Sequence, residues 1–113
     1  MQPETEEEFN DALIETIDQT ITTLLSRRVV DALYVHLWTT YSISKGEIPS
    51  KLDTLFSTLE KTFGPRSSKT ISKAIARKLY ARLMLTFSDN HDRTFLEYVE
   101  DAKIKLLEKE GQF

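Results

Sequence analysis

Gly64 and Pro65 separate two stretches in which apolar residues recur every three or four positions, the spacing of one face of an α-helix. Glycine readily adopts the positive φ that closes a helix, and proline cannot continue one. Two separate helices must therefore meet at this point. The second runs to about Leu85. The apolar stripe of the first consists of Leu52, Leu55, Phe56, Leu59 and Phe63.

The helix that follows Pro65 carries two apolar faces, so we expect it to lie at the centre of the fold with neighbours on two sides. Ser67 or Ser68 is expected to cap its first turn. One apolar face consists of Ile71, Ile75, Ala76, Leu79 and Leu83. The other consists of Ala74, Ala81 and Leu85.

Two further helices are predicted before this pair. Residues 1–8 form an acidic lead-in that we expect to be frayed, and the first helix begins near Glu6. Ser26 can cap a second helix reaching about Tyr41; the two could run on as one bent helix, but we expect a break. In the second helix Val35 and Trp38 lie off the main apolar face. This helix either sits inside the bundle or offers a surface to a partner, and we expect burial.

Turn signals divide the remaining chain. Residues 42–48 read as a loop, Pro49 is placed at the opening of the third helix, and Ser50 with Asp53 resembles a capping pair. After a polar loop at 88–93, Thr94 and Glu97 form a capping box for a fifth helix ending at about Glu110. Its inward residues are Phe95, Val99, Ala102 and Leu106.

No segment shows the period-two alternation of a β-strand. The 113 residues suit one domain, and 40% hydrophobic content is enough for one core. The sequence therefore predicts an all-α fold, a single compact bundle of about five helices over residues 1–113.

Several kinds of chemistry lack the residues they need. The chain has no cysteine for a disulfide or a thiolate site, and no apolar run approaches the length of a membrane span. His36 has no second histidine or carboxylate three or four positions on, and His91 falls in a loop. We expect no cofactor, metal ion or catalytic residue, and no membrane partner. We also expect a cytoplasmic location, because the acidic start of the chain lacks signal-peptide features. The many charges and few amides suit a thermophilic source.

Charge is distributed unevenly along the chain. Residues 1–26 contain seven acids and no base, whereas residues 61–82 contain seven bases and no acid, in a chain of net charge −3. On the fourth helix the bases form a stripe that continues into one aromatic residue and one thioether. We call this set the basic stripe: Arg66, Lys69, Lys73, Arg77, Tyr80 and Met84. The acidic side of the first helix forms a complementary wall: Glu7, Asp11, Glu15 and Asp18.

Three classes of function are considered, and two of them use the basic stripe. The alternative to all three is that both charged faces are only solvated. A protein-interaction module would use it to dock an acidic partner or the acidic first helix of another copy. A nucleic-acid-binding accessory protein would place the same bases on phosphates, but the pI near 5.4 opposes this second choice. An enzyme ranks third because both histidines stand alone.

Three segments also carry a family resemblance, over about residues 26–105. The strings YSISKGEIPSKLDTLFSTLEKTFG, SSKTISKAIARKLYARL and TFLEYVEDAK resemble the small all-helical output domains of archaeal proteins of the Nitrosopumilus output domain kind. The shared motifs are a helix-ending glycine, spaced apolar positions and a Phe-x-x-Tyr-Val start to the last helix. The resemblance implies a helical interaction or signalling module, and it carries over no functional residue.

Overall fold

Helices and short connections make up the chain in a computed structural model, which describes residues 3–90 and 92–110. The helices are α1 (Pro3–Leu24), α2 (Arg27–Tyr41), a 3₁₀ helix (Lys45–Ser50), α3 (Leu52–Phe63), α4 (Pro65–Arg82) and α5 (Phe95–Glu110). No strand occurs in these two ranges. The prediction of an all-α bundle of about five helices is confirmed.

α4 is the central helix. It packs against α1, α3 and α5, and its buried apolar residues belong to one hydrophobic cluster to which every α-helix contributes. Ile71, Ile75 and Leu79 are buried on the face expected to be covered. The second apolar face is covered only in part, because Ala81 is exposed and Leu85 is half-buried.

The break between α1 and α2 confirms the expected cap. The Ser26 hydroxyl accepts a hydrogen bond from the backbone N–H of Val29 at 3.1 Å, so the side chain satisfies a donor of the first turn. The start of α1 was predicted wrongly. That helix begins at Pro3 rather than near Glu6, because a proline at a helix start loses no hydrogen bond and the following glutamates suit the N-terminal dipole.

Gly64 joins α3 to α4 in the way its sequence context predicts. Its φ of 89° lies in the region that glycine tolerates, and its N–H donates to the carbonyl of Glu60 at the end of α3. Gly64 also precedes the first residue of α4, Pro65, so α4 starts without a side-chain cap. Ser67 and Ser68 are therefore not caps, and Ser68 is buried within the first turns.

The connection before α3 is more ordered than the predicted loop. The backbone N–H of Ser44 donates to the Glu47 carboxylate at 3.1 Å, which closes the start of the 3₁₀ helix. This hydrogen bond lowers the pKa of Glu47. Pro49 lies inside the 3₁₀ helix rather than at the opening of α3, and Ser50 donates to the Glu47 carbonyl instead of capping with Asp53.

α2 lies at the edge of the bundle and packs chiefly against α1. Its residues Leu33 and Leu37 face the core, but Val35 and Trp38 are 61% and 60% exposed. The expectation that these two side chains are buried is wrong. A helix that covers only one neighbour needs only one apolar face in the core, and the remainder stays in solvent.

Candidate functional site

The structure divides the basic stripe into two halves. Arg66 and Lys69, in the first half of α4, are exposed. Within residues 3–90 and 92–110 neither makes an ion pair. These two cations are therefore available to a negatively charged ligand.

Lys73 and Arg77, in the second half, are paired within the chain. The segment after α4 folds back and places Asp89 2.8 Å from Lys73 Nζ and 3.2 Å from an Arg77 guanidinium nitrogen. The Arg77 guanidinium also lies over the ring of Phe87, 5.8 Å from its centroid. The run 61–82 contains no acid, but an acid seven residues beyond it supplies the counter-charge. A ligand at Lys73 or Arg77 would have to compete with Asp89.

Tyr80 and Met84, the last two residues of the basic stripe, do not extend it with an apolar surface that a partner could contact. Tyr80 is 1% exposed, and its hydroxyl lies 2.5 Å from the Asp101 carboxylate and 2.8 Å from the Tyr98 carbonyl. Tyr80 therefore ties α4 to α5 and cannot contact a partner. Met84 is 80% exposed, but it lies beyond the end of α4 with φ 58°, so it does not continue the helix face.

Two residues of the acidic wall of α1, Glu15 and Asp18, form ion pairs within the chain. Arg82 of α4 forms an ion pair with Glu15 of α1. Asp18 binds Arg27 at 2.7 Å and Lys45 at 3.3 Å, and the Tyr34 hydroxyl donates to it. Burial raises the pKa of Asp18, but the three hydrogen bonds outweigh burial and hold that pKa below its usual value.

A groove that sequence reasoning missed runs between α3, the first half of α4 and the start of α5. Its volume is about 750 Å³. Phe56, which is half-buried, and Phe95, which is 6% exposed, form its aromatic floor with ring centroids 4.2 Å apart, and Leu96, 45% exposed, adds apolar surface that a ligand can reach. We call this cavity the aromatic groove. α3 and α4 follow each other in sequence, but the start of α5 comes after the whole of α4 and joins them only in the folded chain, so no local pattern could have revealed the groove.

The two long rims of the aromatic groove carry opposite charges. Lys69 and Lys73 line the α4 side, and Asp53 and Glu60 line the α3 side together with one base, Lys61, so the α3 side keeps a net negative charge. Glu60 lies seven residues, about two helical turns, after Asp53, so both fall on the same face of α3. The groove is therefore apolar at the bottom, basic along one edge and acidic along the other.

Local hydrogen bonds fix the α5 end of the groove. The Thr94 N–H donates to the Glu97 carboxylate at 3.1 Å and the Glu97 N–H to the Thr94 hydroxyl at 3.2 Å, as the capping box predicted. The bond from the Thr94 backbone lowers the pKa of Glu97. Because this box sets where α5 begins, it also positions Phe95 and Leu96 in the groove.

The remaining polar residues form no further reactive cluster in the described ranges. His36 is exposed and lies 3.4 Å from the Thr40 hydroxyl, and His91 is outside those ranges. No group of three or more His, Asp or Glu side chains suited to a metal ion occurs in the part of the chain that the structure describes. None of the helices there is both long enough and apolar enough to cross a membrane.

Comparison of the chain with protein-family models, curated proteins and solved structures gave no match. The resemblance to archaeal output domains therefore remains a prediction from the sequence. Any assignment of function rests on the geometry of the groove and of the surfaces around it.

Proposed function

We propose that this chain is a non-enzymatic protein-interaction module, of a regulatory or signalling kind, that binds an acidic helical segment of a partner protein in the aromatic groove. The observation that carries the proposal is the combination of an apolar floor, Phe56, Phe95 and Leu96, with a basic α4 rim. This refines the expectation that the whole basic stripe docks the partner, because only its first half is unpaired in the described ranges.

The floor and the rim have separate tasks. An amphipathic helix that lays its apolar side on the floor gains affinity by removing apolar surface from water. Cations beside such a site add specificity and a faster encounter with acidic partners more than they add affinity. Arg66 lies one turn before Lys69 on α4, so it extends the basic rim beyond the groove.

The acidic α3 rim orients the ligand. A helix with acidic residues along one flank and basic or neutral residues along the other satisfies both edges when its acidic flank lies against Lys69. The reverse orientation places its acids against Asp53 and Glu60, and like charges in contact are unfavourable. The groove therefore favours one direction and one face of an amphipathic helix.

Nucleic acid remains the competing ligand for the same cations. A recognition helix needs one long face free to enter the major groove. α4 packs against three helices, and the chain carries net charge −3. These features favour a protein partner, and nucleic-acid binding is an outcome that the following test can detect.

The test uses a fluorescein-labelled amphipathic peptide with leucines at three- and four-residue spacing and glutamates along one flank. Fluorescence anisotropy measures its binding in low and moderate salt. We expect Lys69→Glu to weaken binding about three- to tenfold, since reversal removes one exposed attraction and adds a repulsion of similar size. The loss should shrink as salt screens both charges. A peptide with lysine in place of each glutamate should instead lie in the reverse direction, with its lysines against Asp53 and Glu60, and its binding should not be weakened by Lys69→Glu.

Lys78→Glu is the matched control. Lys78 is an exposed lysine of the same helix, nine residues after Lys69 and so on the opposite face. The Lys78→Glu substitution should leave peptide binding unchanged, and circular dichroism should show equal helix content in the Lys69→Glu and Lys78→Glu variants. Equal losses from the two substitutions, or none from either, would contradict the proposal. Binding of duplex or single-stranded nucleic acid that Lys69→Glu abolishes, with no peptide binding, would transfer the site to the competing ligand.

A further inference from the structure

The aromatic groove closes at one end. A single residue, Gly64, joins α3 to α4, so the two helices that form its long sides meet there. Lys61 and Pro65 line the groove on either side of this junction. Leu52, the groove residue of α3 farthest from the junction, lies roughly 14 Å along the helix from Lys61. The groove therefore holds about nine residues of a ligand helix, and a chain that enters from the open end must stop or turn at the junction.

Unpaired bases predominate at the junction end of the groove. Lys61 and Lys69 line it there and are exposed. Neither forms an ion pair within residues 3–90 and 92–110. Glu60 lines the same end, but Arg66, which is exposed and also unpaired in those ranges, lies just beyond Pro65. The junction end thus carries a net positive charge.

The open end of the groove has the opposite charge. Asp53, in the first turn of α3, is exposed and lines this end. Asp92 is also an exposed groove residue, and it follows by three residues the acid that binds Lys73, nine residues beyond the junction. Neither acid forms an ion pair in the part of the chain that the structure describes. Lys73 and Arg93 line this end too, but each binds an acid within the chain, at 2.8 Å and 3.4 Å.

Building on the proposed function, we infer that the aromatic groove binds the C-terminal helix of the partner, with the α-carboxylate of its last residue at Lys61 and Lys69. That carboxylate is ionised at neutral pH and accepts charge-assisted hydrogen bonds from ammonium groups. A ligand that ends at the closed junction presents either this anion or an N-terminal ammonium group. The unpaired lysines attract the first and repel the second.

The open end favours the same direction of the ligand helix. The first turn of a helix has unpaired backbone N–H groups and the positive end of the macrodipole. Asp53 and Asp92 attract that turn, whereas they would repel a C-terminal carboxylate. Because α4 begins at the junction and the ligand helix ends there, the ligand runs antiparallel to α4.

The charges of the ends act in addition to the charges of the rims. The rims distinguish the two flanks of a ligand helix, and the ends distinguish its two termini. In a peptide with a blocked C-terminus, the flanks chiefly decide the direction. A free α-carboxylate adds an attraction that exists in one direction only.

Two peptides of identical sequence test the inference by fluorescence anisotropy. Both carry the leucines and the glutamate flank described above and the same N-terminal dye, but one ends in a free carboxylate and the other in a carboxamide. We expect the carboxylate peptide to bind about three- to tenfold more tightly in low salt, and the difference to shrink as salt is added. A carboxamide favours helix formation in the free peptide, because it removes a negative charge from the helix C-terminus. Helix content therefore cannot explain tighter binding of the carboxylate.

The ratio of the two dissociation constants separates recognition of the carboxylate from other changes in the groove. A chain with both Lys61→Gln and Lys69→Gln should bring this ratio to about one and still bind the carboxamide peptide. The matched control combines Lys78→Gln with Lys109→Gln, which removes the same charge from exposed lysines outside the groove. The control should keep the wild-type ratio. Loss of the ratio in both chains, or in neither, would refute the role of the two groove lysines.

The two proposals fail in different ways. Equal binding of the carboxylate and carboxamide peptides would overturn this inference and leave the proposed function intact, whereas binding of neither would overturn both. A nitroxide at the peptide N-terminus tests direction by NMR. It should broaden the amide signals of Asp53 and Asp92. Broadening at Lys61 and Arg66 instead would show the reverse direction and contradict the inference.

Discussion

Replacing Leu79 by alanine tests the central position of α4 most directly. Leu79 is fully buried, and α4 packs against α1, α3 and α5. The substitution removes three buried carbon atoms, worth about 2.4 kcal/mol at about 0.8 kcal/mol each. A residual cavity on the order of 50 Å³ adds about 1.2 kcal/mol. We expect the free energy of unfolding to fall by about 3.5 kcal/mol, out of a total of about 6 to 17 kcal/mol for a chain of 113 residues.

Urea denaturation followed by circular dichroism measures this loss, and thermal unfolding gives a second value. With an unfolding entropy of about 0.24 kcal/mol/K for 113 residues, the melting temperature should fall by about 15 °C. Leu107→Ala makes the same chemical change at a position that is 41% exposed, and it should cost less than about 1 kcal/mol. If Leu79→Ala also costs less than about 1 kcal/mol, α4 is not the centre of the core.

Two further predictions concern hydrogen bonds. Ser26→Ala removes the side-chain acceptor for the Val29 N–H, and this substitution should lower the free energy of unfolding by about 0.5 to 2 kcal/mol in urea titrations. Ser26→Asn should restore most of the lost free energy. No loss from Ser26→Ala would show that the cap is dispensable. Burial, and then the hydrogen bond to Asp101, raises the pKa of Tyr80 above its usual value. The folded chain therefore keeps the neutral phenol where the unfolded chain loses its proton, so the contribution of Tyr80 to the free energy of unfolding should be level below about pH 9 and fall above about pH 10. Tyr80→Phe should reduce that alkaline fall, and an identical pH profile for this variant would contradict the assignment.

The outcome for the basic stripe changes how its charges should be interpreted. Lys73 and Arg77 hold Asp89 beside α4, and Arg82 joins α4 to Glu15 of α1. Two of the four cations of the basic stripe, Lys73 and Arg77, thus take part in contacts within the fold. The functional case narrows to Lys69 and Arg66 beside the aromatic groove, where charge occurs together with exposed apolar surface.

Local sequence determined the helices and most of their ends. Spacing by three and four residues marks a helix wherever it occurs, and the Ser26 cap, the Gly64–Pro65 junction and the Thr94–Glu97 box depend on residues within one or two turns. The errors lie where two local signals compete. Pro49 fits the start of a helix equally well in either of two registers, and Pro3 can begin a helix before the acidic run as readily as Glu6 can begin one within it.

Which helix faces are covered, and which residues they contact, depends on the packing of the helices and could not be predicted from the local sequence. Periodicity shows that Val35, Trp38 and Tyr80 lie on particular sides of their helices, but only the position of a neighbouring helix determines that Tyr80 is buried and that Val35 and Trp38 are in solvent. The pairing of Asp89 with Lys73 and the assembly of the aromatic groove likewise require chain segments distant from each other to meet. The helices and their apolar sides could be predicted from the sequence, because those follow from interactions over a few residues. The groove and the exposure of Val35 and Trp38 on α2 followed from packing, because burial depends on the whole arrangement of helices.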